Sequence, residues 1–155
     1  MNKGWVEPEK YNEICKLIPI VAVDVAVFHG DRLLLLKRQM PPIQDTWCLP
    51  GGGIRLGENP YMTASRELEE ETGIKTLNFV QVGSAVTYLF DFKQNVGLGM
   101  ITKVDNPTEV IMDGEHSDYG WFNIFDLPEP IDEQMMAQIK SCICAYHEKG
   151  WMLDA

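Results

Sequence analysis

Basic charge is scarce in this 155-residue sequence, which has 13 lysine and arginine residues against 23 aspartate and glutamate residues and a net charge of −10. A surface of this sign disfavours general nucleic-acid binding, which needs a basic footprint, and it disfavours contact with an anionic membrane. An anionic small molecule still fits if a bound cation reverses the local field. The composition therefore predicts a small-molecule partner, with no nucleic acid and no membrane.

Cysteine pairs and long apolar segments are also missing. The four cysteines form no C-x-x-C motif, and Cys142 and Cys144 fall on different sides of a predicted helix. Reduced thiols are therefore expected instead of a zinc site or a disulfide framework. The N-terminus lacks a signal-peptide pattern, and no apolar run approaches the roughly 18 residues that span a membrane. These features predict a single domain over residues 1–155 and a cytoplasmic location.

Hydrophobic periodicity predicts a sheet protein with two substantial helices. Asn59 is a good N-cap, Pro60 fits the first helical position, and Gly73 fits the left-handed position that follows a helix. Asn95-Val96-Gly97 is a plausible turn between strands. The predicted strands are 20–28, 32–38, 47–49, 76–87, 88–92, 97–104 and 119–122, and the predicted helices are 7–17, Pro60–Thr72 and 132–148. Such a pattern favours a mixed sheet that is covered on both faces.

Acidic residues crowd one face of the helix that follows the glycine-rich loop. At about 100° per residue, Glu67, Glu70 and Glu71 share a face, whereas Glu69 points nearly the opposite way. Carboxylates at this spacing repel one another, so a cation is needed to offset the cost. Hard oxygen ligands suit Mg²⁺, with Mn²⁺ as the alternative. Arg66 can reach Glu70 one turn later and hold it in place.

The loop before this helix adds to the site. Its glycines, including Gly51 and Gly52, let the backbone turn tightly and approach a ligand closely. Glu58 lies just before the helix, where it can orient a metal-binding carboxylate. A metal held here would neutralise phosphate charge, lower the pKa of a bound water and align the attacking and leaving oxygens. The acidic run alone could equally be a solvated helix face.

The full spacing over residues 52–74 decides between these readings. It runs Gly52, five residues, Glu58, seven residues, Arg66-Glu67-Leu68, one residue, Glu70-Glu71, one residue, Gly73-Ile74. This matches the Nudix box, so the sequence resembles Nudix hydrolases, which act on nucleoside diphosphates linked to another moiety. The resemblance implies an α/β fold, a Nudix-type α/β/α sandwich with a mixed β-sheet. It also implies that Glu67, Glu70 and Glu71 bind metal with the Gly51 carbonyl, that Glu58 supports them, and that Arg66 orients the carboxylates.

A loop outside the box carries two further candidates. Family members often use an additional acidic residue at the metal, and Glu115, six positions before Trp121, fits that placement; an exposed loop acid is the alternative. The segment EHSDYGWF resembles the GDP-mannose mannosyl hydrolase branch of the family, in which a histidine at the place of His116 acts as general base. That branch attacks the anomeric carbon of the sugar and breaks a C–O bond.

The same branch resemblance extends to the N-terminal strands. Asp24 interrupts an apolar strand, where burial is costly unless the carboxylate is paired or hydrogen-bonded. Arg38, at the end of the next strand, is placed to contact a diphosphate, although it could also be a charge in solvent. The sequence departs from that branch at Gly53, where the branch has an arginine. It also departs by keeping all three box glutamates, and a complete box favours attack on phosphorus.

The resulting prediction is a Mg²⁺-dependent pyrophosphohydrolase that acts on a nucleoside diphosphate derivative, with nucleotide sugars or ADP-ribose-like compounds favoured. The alternatives are a GDP-mannose-type sugar hydrolase, a nucleoside triphosphate pyrophosphohydrolase and a ligand-sensing module without turnover. Family members are often homodimers, and the segment before Pro19 and the last helix could supply an interface or pack on their own core. Five aromatic residues could stack on a base, although core packing is favoured for most: Trp5, Trp47, Tyr88, Phe90 and Phe92.

Overall fold

The computed structural model describes residues 6–107 and 109–151, so Trp5 lies outside the described residues. The helices are α1 (Pro8–Leu17), α2 (Pro60–Thr72) and α3 (Glu133–Glu148). The strands are β1 (Ile20–His29), β2 (Arg32–Arg38), β3 (Trp47–Cys48), β4 (Gly51–Gly53), β5 (Val80–Leu89), β6 (Gln94–Lys103) and β7 (His116–Asn123). None of the helices in these two segments has the length and apolar character that crossing a membrane requires.

The strands form one mixed sheet. Its main path runs β3-β2-β1-β6-β5, with β4 paired to β1 and β7 paired to β2. β1 and β6 are parallel along nine residue pairs, from Ile20↔Asn95 to Phe28↔Lys103, and the other pairings are antiparallel. The predicted mixed sheet is therefore confirmed.

Helices cover both faces of this sheet because β1 is apolar on both of its faces. Val23, Val25 and Val27 pack on the side of α2, whereas Ala26 and Phe28 pack on the side of α3, as the alternation of a strand requires. On the α3 side, the rings of Phe28 and Tyr146 stack with centroids 4.0 Å apart. The Tyr146 hydroxyl donates to the Gly30 carbonyl at 2.9 Å, which ties α3 to the β1–β2 turn. The α/β/α sandwich is confirmed.

Helix α2 begins and ends where the sequence predicts. The Asn59 side chain accepts a hydrogen bond from the Met62 amide at 2.9 Å, and Pro60 occupies the first turn. Gly73 has a φ of 75°, and its N–H donates to the Glu69 carbonyl at 2.9 Å. Because only glycine adopts that conformation without steric cost, the helix has a defined end as well as a defined start. The register of its glutamates is fixed by both.

The predicted strand over 88–92 and the predicted turn at Asn95-Val96-Gly97 are wrong. β5 runs unbroken to Leu89, and the chain turns at Phe90 and Lys93, whose backbone groups bond at 2.8 and 3.4 Å. Asn95 and Gly97 lie within β6. Gly97 is small for a packing reason, because an added methyl group would lie 2.5 Å from an Asp24 carboxylate oxygen and 2.7 Å from the Tyr88 ring.

The site is positioned by a divergence between β1 and β2. These strands pair only beside their turn, through Phe28↔Leu33 and His29↔Arg32. Farther from the turn, β1 pairs with β4 and β2 pairs with β3. The Gly51–Gly53 stretch, predicted as a loop, is therefore a short strand that holds the start of the motif against β1. A cleft opens between the two diverging strands.

Candidate metal and substrate site

The cleft has a volume of about 590 Å³. Alternate residues of β1 line it, namely Ile20, Ala22 and Asp24. Carboxylates of α2 and of the loop before β7 line the part that we call its acidic end. Residues of α1 and of the turn between β5 and β6 also line the cleft. A cleft of this size suits a small molecule.

Glu67 and Glu71 are the buried acids that α2 contributes to the cleft. Their residues are 2% and 3% exposed, although carboxylates are almost never fully buried without partners. Glu71 accepts a hydrogen bond from the Gly51 amide at 2.8 Å. Glu67 lies against the backbone of Gly52, so closely that a methyl group there would sit 2.4 Å from Glu67 Oε1. Gly52 is therefore needed because the Glu67 carboxylate occupies the space that a side chain would take.

Arg66 and Glu58 hold the acidic face in place. The Arg66 guanidinium donates to both Glu58 oxygens, at 2.6 and 2.8 Å, and also to Glu67 and to the Gly53 carbonyl. Thr63 and the Arg55 amide donate to Glu58 Oε2 at 2.7 and 3.1 Å. The hydrogen bonds from Arg66, followed by those from Thr63 and Arg55, lower the pKa of Glu58 to about 2.

This lowered pKa predicts an acid-dependent loss of stability when Glu58 is replaced by glutamine. At pH 7 the variant should lose about 2 kcal/mol in its free energy of unfolding, because Arg66 keeps its burial but loses the carboxylate to which it donates two hydrogen bonds. The folded pKa is below the unfolded one, so the contribution of Glu58 is complete above about pH 4.5 and disappears as the pH falls toward about 2. Urea unfolding of both proteins at pH 7, 4 and 3 measures this; a difference that stays constant with pH would contradict the assignment.

Glu70 occupies a different environment from Glu67 and Glu71. Its side chain is 35% exposed, and its carboxylate lies 3.7 Å from Arg66 Nη1 and 3.8 Å from Arg55 Nη2. The predicted contact with Arg66 is thus present. Glu70 faces an outer groove of α2. It is not among the described residues that line the cleft.

The loop before β7 brings Glu115 to the acidic end of the cleft. Glu115 Oε1 is buried and has no hydrogen-bond partner among residues 6–107 and 109–151. His116 is buried beside it, with Nδ1 2.9 Å from Asp113 Oδ1. The same Asp113 oxygen accepts the Glu115 amide at 3.1 Å. Asp113 therefore positions both candidates, a role the sequence did not single out although Asp113 lies only three residues before His116.

These residues fit a hard divalent cation. The donors at this end are carboxylate oxygens, which Mg²⁺ and Mn²⁺ favour. A buried oxygen without a partner, as on Glu115, costs free energy that a bound cation would recover. One ligand atom from each of Glu71, Asp113 and His116 also lies within 4.8 Å of the others. The acidic face of α2 is therefore extended by a loop more than forty positions later, the loop in which the sequence predicts Glu115 as a further metal ligand.

Asp24 is buried in a hydrogen-bond network that reaches the cleft. Tyr88 Oη and Gln138 Nε2 each donate to Asp24 Oδ2 at 3.0 Å, and Gln138 Nε2 also donates to the Gly97 carbonyl at 3.0 Å. Burial raises the pKa of Asp24, and the two hydrogen bonds partly counteract this. The expectation that a buried Asp24 would need partners is confirmed. Gln138 was missed, although it is a polar residue within the apolar stripe of α3.

Arg38 also lines the cleft. It is half-buried at the end of β2, opposite His116, and its Nε donates to the Pro42 carbonyl at 2.9 Å.

The aromatic residues divide between core and cleft. Trp47 is buried with its ring edge-on to Phe122 at 4.8 Å, whereas Tyr88, Phe90 and Phe92 line the cleft.

A family model describes most of the chain. The NUDIX domain model matches residues 19–141. The chain belongs to the NUDIX family. Among solved structures, a MutT NUDIX hydrolase from Burkholderia pseudomallei is 26% identical with a TM-score of 0.73, over 80% of this chain and 98% of that one. The NUDIX domain of Shewanella oneidensis NrtR, complexed with ADP ribose, has a TM-score of 0.71 at 20% identity, over 93% and 96% of the two chains.

Curated relatives match this NUDIX chain over shorter segments. An ADP-ribose pyrophosphatase from Methanocaldococcus jannaschii is 40% identical over 58 residues, which is 37% of this chain and 34% of that protein. An RNA pyrophosphohydrolase from Brucella anthropi is 33% identical over 84 residues, 54% of this chain and 48% of the relative. The chain thus spans about a third to a half of the length of these relatives. Both similarities are to enzymes named for pyrophosphate hydrolysis.

Proposed function

We propose that this NUDIX protein is a Mg²⁺-dependent hydrolase of a diphosphate linkage in a nucleoside diphosphate derivative, with nucleotide sugars or ADP-ribose-like compounds as favoured substrates. The observation that carries the proposal is that Glu67, Glu71 and Glu115 line one cleft. One ligand atom of Glu71 also lies within 4.8 Å of ligand atoms of Asp113 and His116, which flank Glu115. The names of the M. jannaschii relative and of the ADP-ribose-bound NrtR domain support an ADP-ribose-like substrate.

Glu67, Glu71 and Glu115 would hold the metal, together with Glu70 and the Gly51 carbonyl, as the family motif implies. When bound, the metal supplies charge neutralisation at the diphosphate and a water of lowered pKa. Arg66 and Glu58 orient the carboxylates through the bonds described above. The Glu71 carboxylate is oriented by the Gly51 amide, which also fixes the backbone on which the substrate lies.

His116 and Asp113 provide a candidate base beside this end. A carboxylate that bonds one imidazole nitrogen fixes the orientation of the ring and leaves the other nitrogen to take a proton. Arg38 would contact the diphosphate and Asp24 would bind the substrate from the floor of the cleft. Hydrolysis of a sugar C–O bond would use the same pair, His116 and Asp113. The pair therefore favours that reaction as the second candidate.

Two further alternatives are a nucleoside triphosphate as substrate and a sensing role without turnover. A nucleoside triphosphate has the same diphosphate linkage as the favoured substrates. A sensing role without turnover is suggested by an ADPR responsive transcriptional repressor from Acinetobacter baylyi, which is 38% identical over 72 residues. The intact set of box glutamates favours an enzyme over the sensor. The homodimer remains a prediction.

A substrate screen tests the proposal. Nucleoside diphosphate sugars, ADP-ribose, dinucleotides and nucleoside triphosphates would be incubated with Mg²⁺, and the released products measured by chromatography. We expect Mg²⁺-dependent hydrolysis of at least one diphosphate compound, and a large loss of that activity in Glu70→Gln. Hydrolysis that survives this substitution undiminished would show that the metal-site mechanism is wrong. Binding without hydrolysis across the panel would favour the sensing alternative.

A further inference from the structure

Asn95 occupies the middle strand of a row of three residues that line the cleft. It lies in β6, where it pairs with Ile20 of β1 on one side and with Tyr88 of β5 on the other. Residues that are directly opposite on neighbouring strands project from the same face of a sheet, and all three line the cleft. The Asn95 amide therefore stands between an aliphatic and an aromatic side chain.

The amide oxygen of Asn95 needs a hydrogen-bond donor. Oδ1 is buried and has no hydrogen-bond partner among residues 6–107 and 109–151. A buried acceptor without a donor costs free energy, and a ligand that donates to it would recover that cost. Because Asn95 lines the cleft, the donor that fits is a group of the substrate.

Aromatic rings adjoin this amide. The Tyr88 ring is fixed by its hydroxyl, which donates to Asp24 Oδ2 at 3.0 Å. The rings of Tyr88 and Phe90 stack with centroids 6.4 Å apart and planes inclined by 14°. Phe90 is half-buried, Phe92 is 54% exposed, and both line the cleft. Aromatic faces of this kind stack on nucleobases.

The strand register places Asn95 at a useful distance from the acidic end. The Gly51 amide donates to Glu71, and Gly51 pairs with Asp24 of β1. Ile20, the partner of Asn95, lies four residues before Asp24, which is about 13 Å along the strand. A nucleotide with its phosphates at the acidic end would span this length with its sugar. Its base would then lie beside Asn95.

The charged residues of the cleft favour a neutral group beside Asn95. Asp91 and Lys93 line the cleft from the turn just before β6, and their charges are of opposite sign. Arg38 lies opposite the start of β7, and Arg55 lies 3.8 Å from the Glu70 carboxylate. Both arginines therefore belong with the acidic residues and the phosphates. An uncharged base is the part of a nucleotide that suits the remaining position.

We propose that Asn95, with the rings of Phe90 and Phe92, forms the base subsite of the cleft and makes it selective for adenine. This rests on the proposed function in one respect, since the ligand is taken to be a nucleotide derivative. An amide offers an acceptor and a donor side by side. Adenine presents the complementary pair on two edges, N6–H beside N1 and N6–H beside N7, whereas guanine presents two acceptors on its N7 edge.

Binding of nucleotides that have no diphosphate linkage tests the subsite. Wild type, Asn95→Ala and Gln94→Ala would be titrated with adenosine 5′-monophosphate (AMP), guanosine 5′-monophosphate (GMP) and ribose 5-phosphate in Mg²⁺, with calorimetry as the readout. Gln94 is the matched control, because it is the half-buried neighbour in β6, alternation turns it to the other face, and it is not among the described residues that line the cleft.

The expected results separate the base from the sugar. Wild type and Gln94→Ala should bind AMP at least fivefold more tightly than GMP. Asn95→Ala should weaken AMP binding about tenfold, the scale of a bidentate contact to a base, and leave ribose 5-phosphate binding within twofold. Equal losses for AMP and ribose 5-phosphate would show that the amide binds the sugar, and this would overturn the proposal. No millimolar binding of AMP by wild type would also overturn it.

Asn95→Asp keeps the test independent of folding. A carboxylate only accepts, and guanine can donate to it from both N1–H and N2–H, so this variant should bind GMP more tightly than AMP. The ratio of two affinities measured on one protein sample does not depend on the fraction that is folded. An AMP preference that is unchanged in Asn95→Asp would contradict the subsite.

The outcome is distinguishable from that of the proposed function, because neither nucleotide can be hydrolysed at a diphosphate. AMP binding that depends on Asn95, without hydrolysis of any compound in the substrate screen, would refute the enzyme and support the subsite. Hydrolysis in the screen together with AMP binding that is unaffected by Asn95→Ala would refute the subsite alone.

Discussion

Replacing Glu71 by glutamine is expected to lower kcat about 10³-fold, which corresponds to about 4 kcal/mol of lost transition-state stabilisation. Glu71 is 3% exposed, and its carboxylate is held by the Gly51 amide at the acidic end of the cleft. Glutamine keeps the size and can still accept the Gly51 hydrogen bond. The change therefore removes the charge needed by a divalent cation while it preserves the packing.

Stability should move in the opposite direction from activity. Without metal, Glu67 and Glu71 repel each other inside the cleft, so the neutral glutamine should leave the thermal midpoint equal to or above that of wild type. Glu69→Gln is the matched control, because Glu69 is exposed and pairs with exposed Lys75 at 3.3 Å. Both variants would be measured in two ways. Steady-state kinetics would be recorded with Mg²⁺, and the affinity for Mn²⁺ would be determined by electron paramagnetic resonance. A Glu71→Gln protein with wild-type Mn²⁺ affinity would contradict the metal assignment.

Replacing Gly52 by alanine should lower activity about 100-fold, because a displacement of reacting groups by about 1 Å is sufficient for that loss. The added methyl group would lie 2.4 Å from Glu67 Oε1 and 2.5 Å from its carboxyl carbon. Glu67 must then move away from the backbone, and its bond with Arg66 must change with it. The sheet itself should fold, since Gly52 pairs with Val23 through backbone groups that alanine also has.

Gly53→Ala provides the comparison one residue later. A methyl group at Gly53 would meet only Ile20 Cγ2 at 3.6 Å, which is ordinary van der Waals contact. We expect this variant to keep at least half of the wild-type kcat, as measured on the same substrate. Similar losses in both variants would mean that the glycines matter for the backbone conformation of β4 generally. The specific contact between Gly52 and Glu67 would then not be the cause.

The parts of the site predicted from sequence are those made by local geometry. Helical periodicity predicts that the glutamates of α2 share one face. Their register follows from Asn59 and Gly73, which cap the two ends of the helix. The motif spacing then identifies the family because it fixes the loop and the helix together. The mixed sheet and its two helical layers follow from apolar strands that are buried on both faces.

The parts that could not be predicted depend on distant contacts. The Asp24 network joins β1 to Tyr88 and Gln138, which lie 64 and 114 positions later, and sequence spacing carries no information about such pairs. Gly97 resembles a turn residue, whereas its actual role is to leave room for Asp24 and Tyr88.

Hydrolysis in ¹⁸O-labelled water separates attack of water on phosphorus, which a metal held by the box carboxylates would favour, from attack on a sugar carbon. The substrate found in the screen would be turned over with Mg²⁺, and both products would be analysed by mass spectrometry. We expect one ¹⁸O atom in the phosphate group of one product and none in a sugar hydroxyl. Label at the anomeric oxygen of a released sugar would contradict P–O cleavage and would assign the reaction to the His116-dependent alternative.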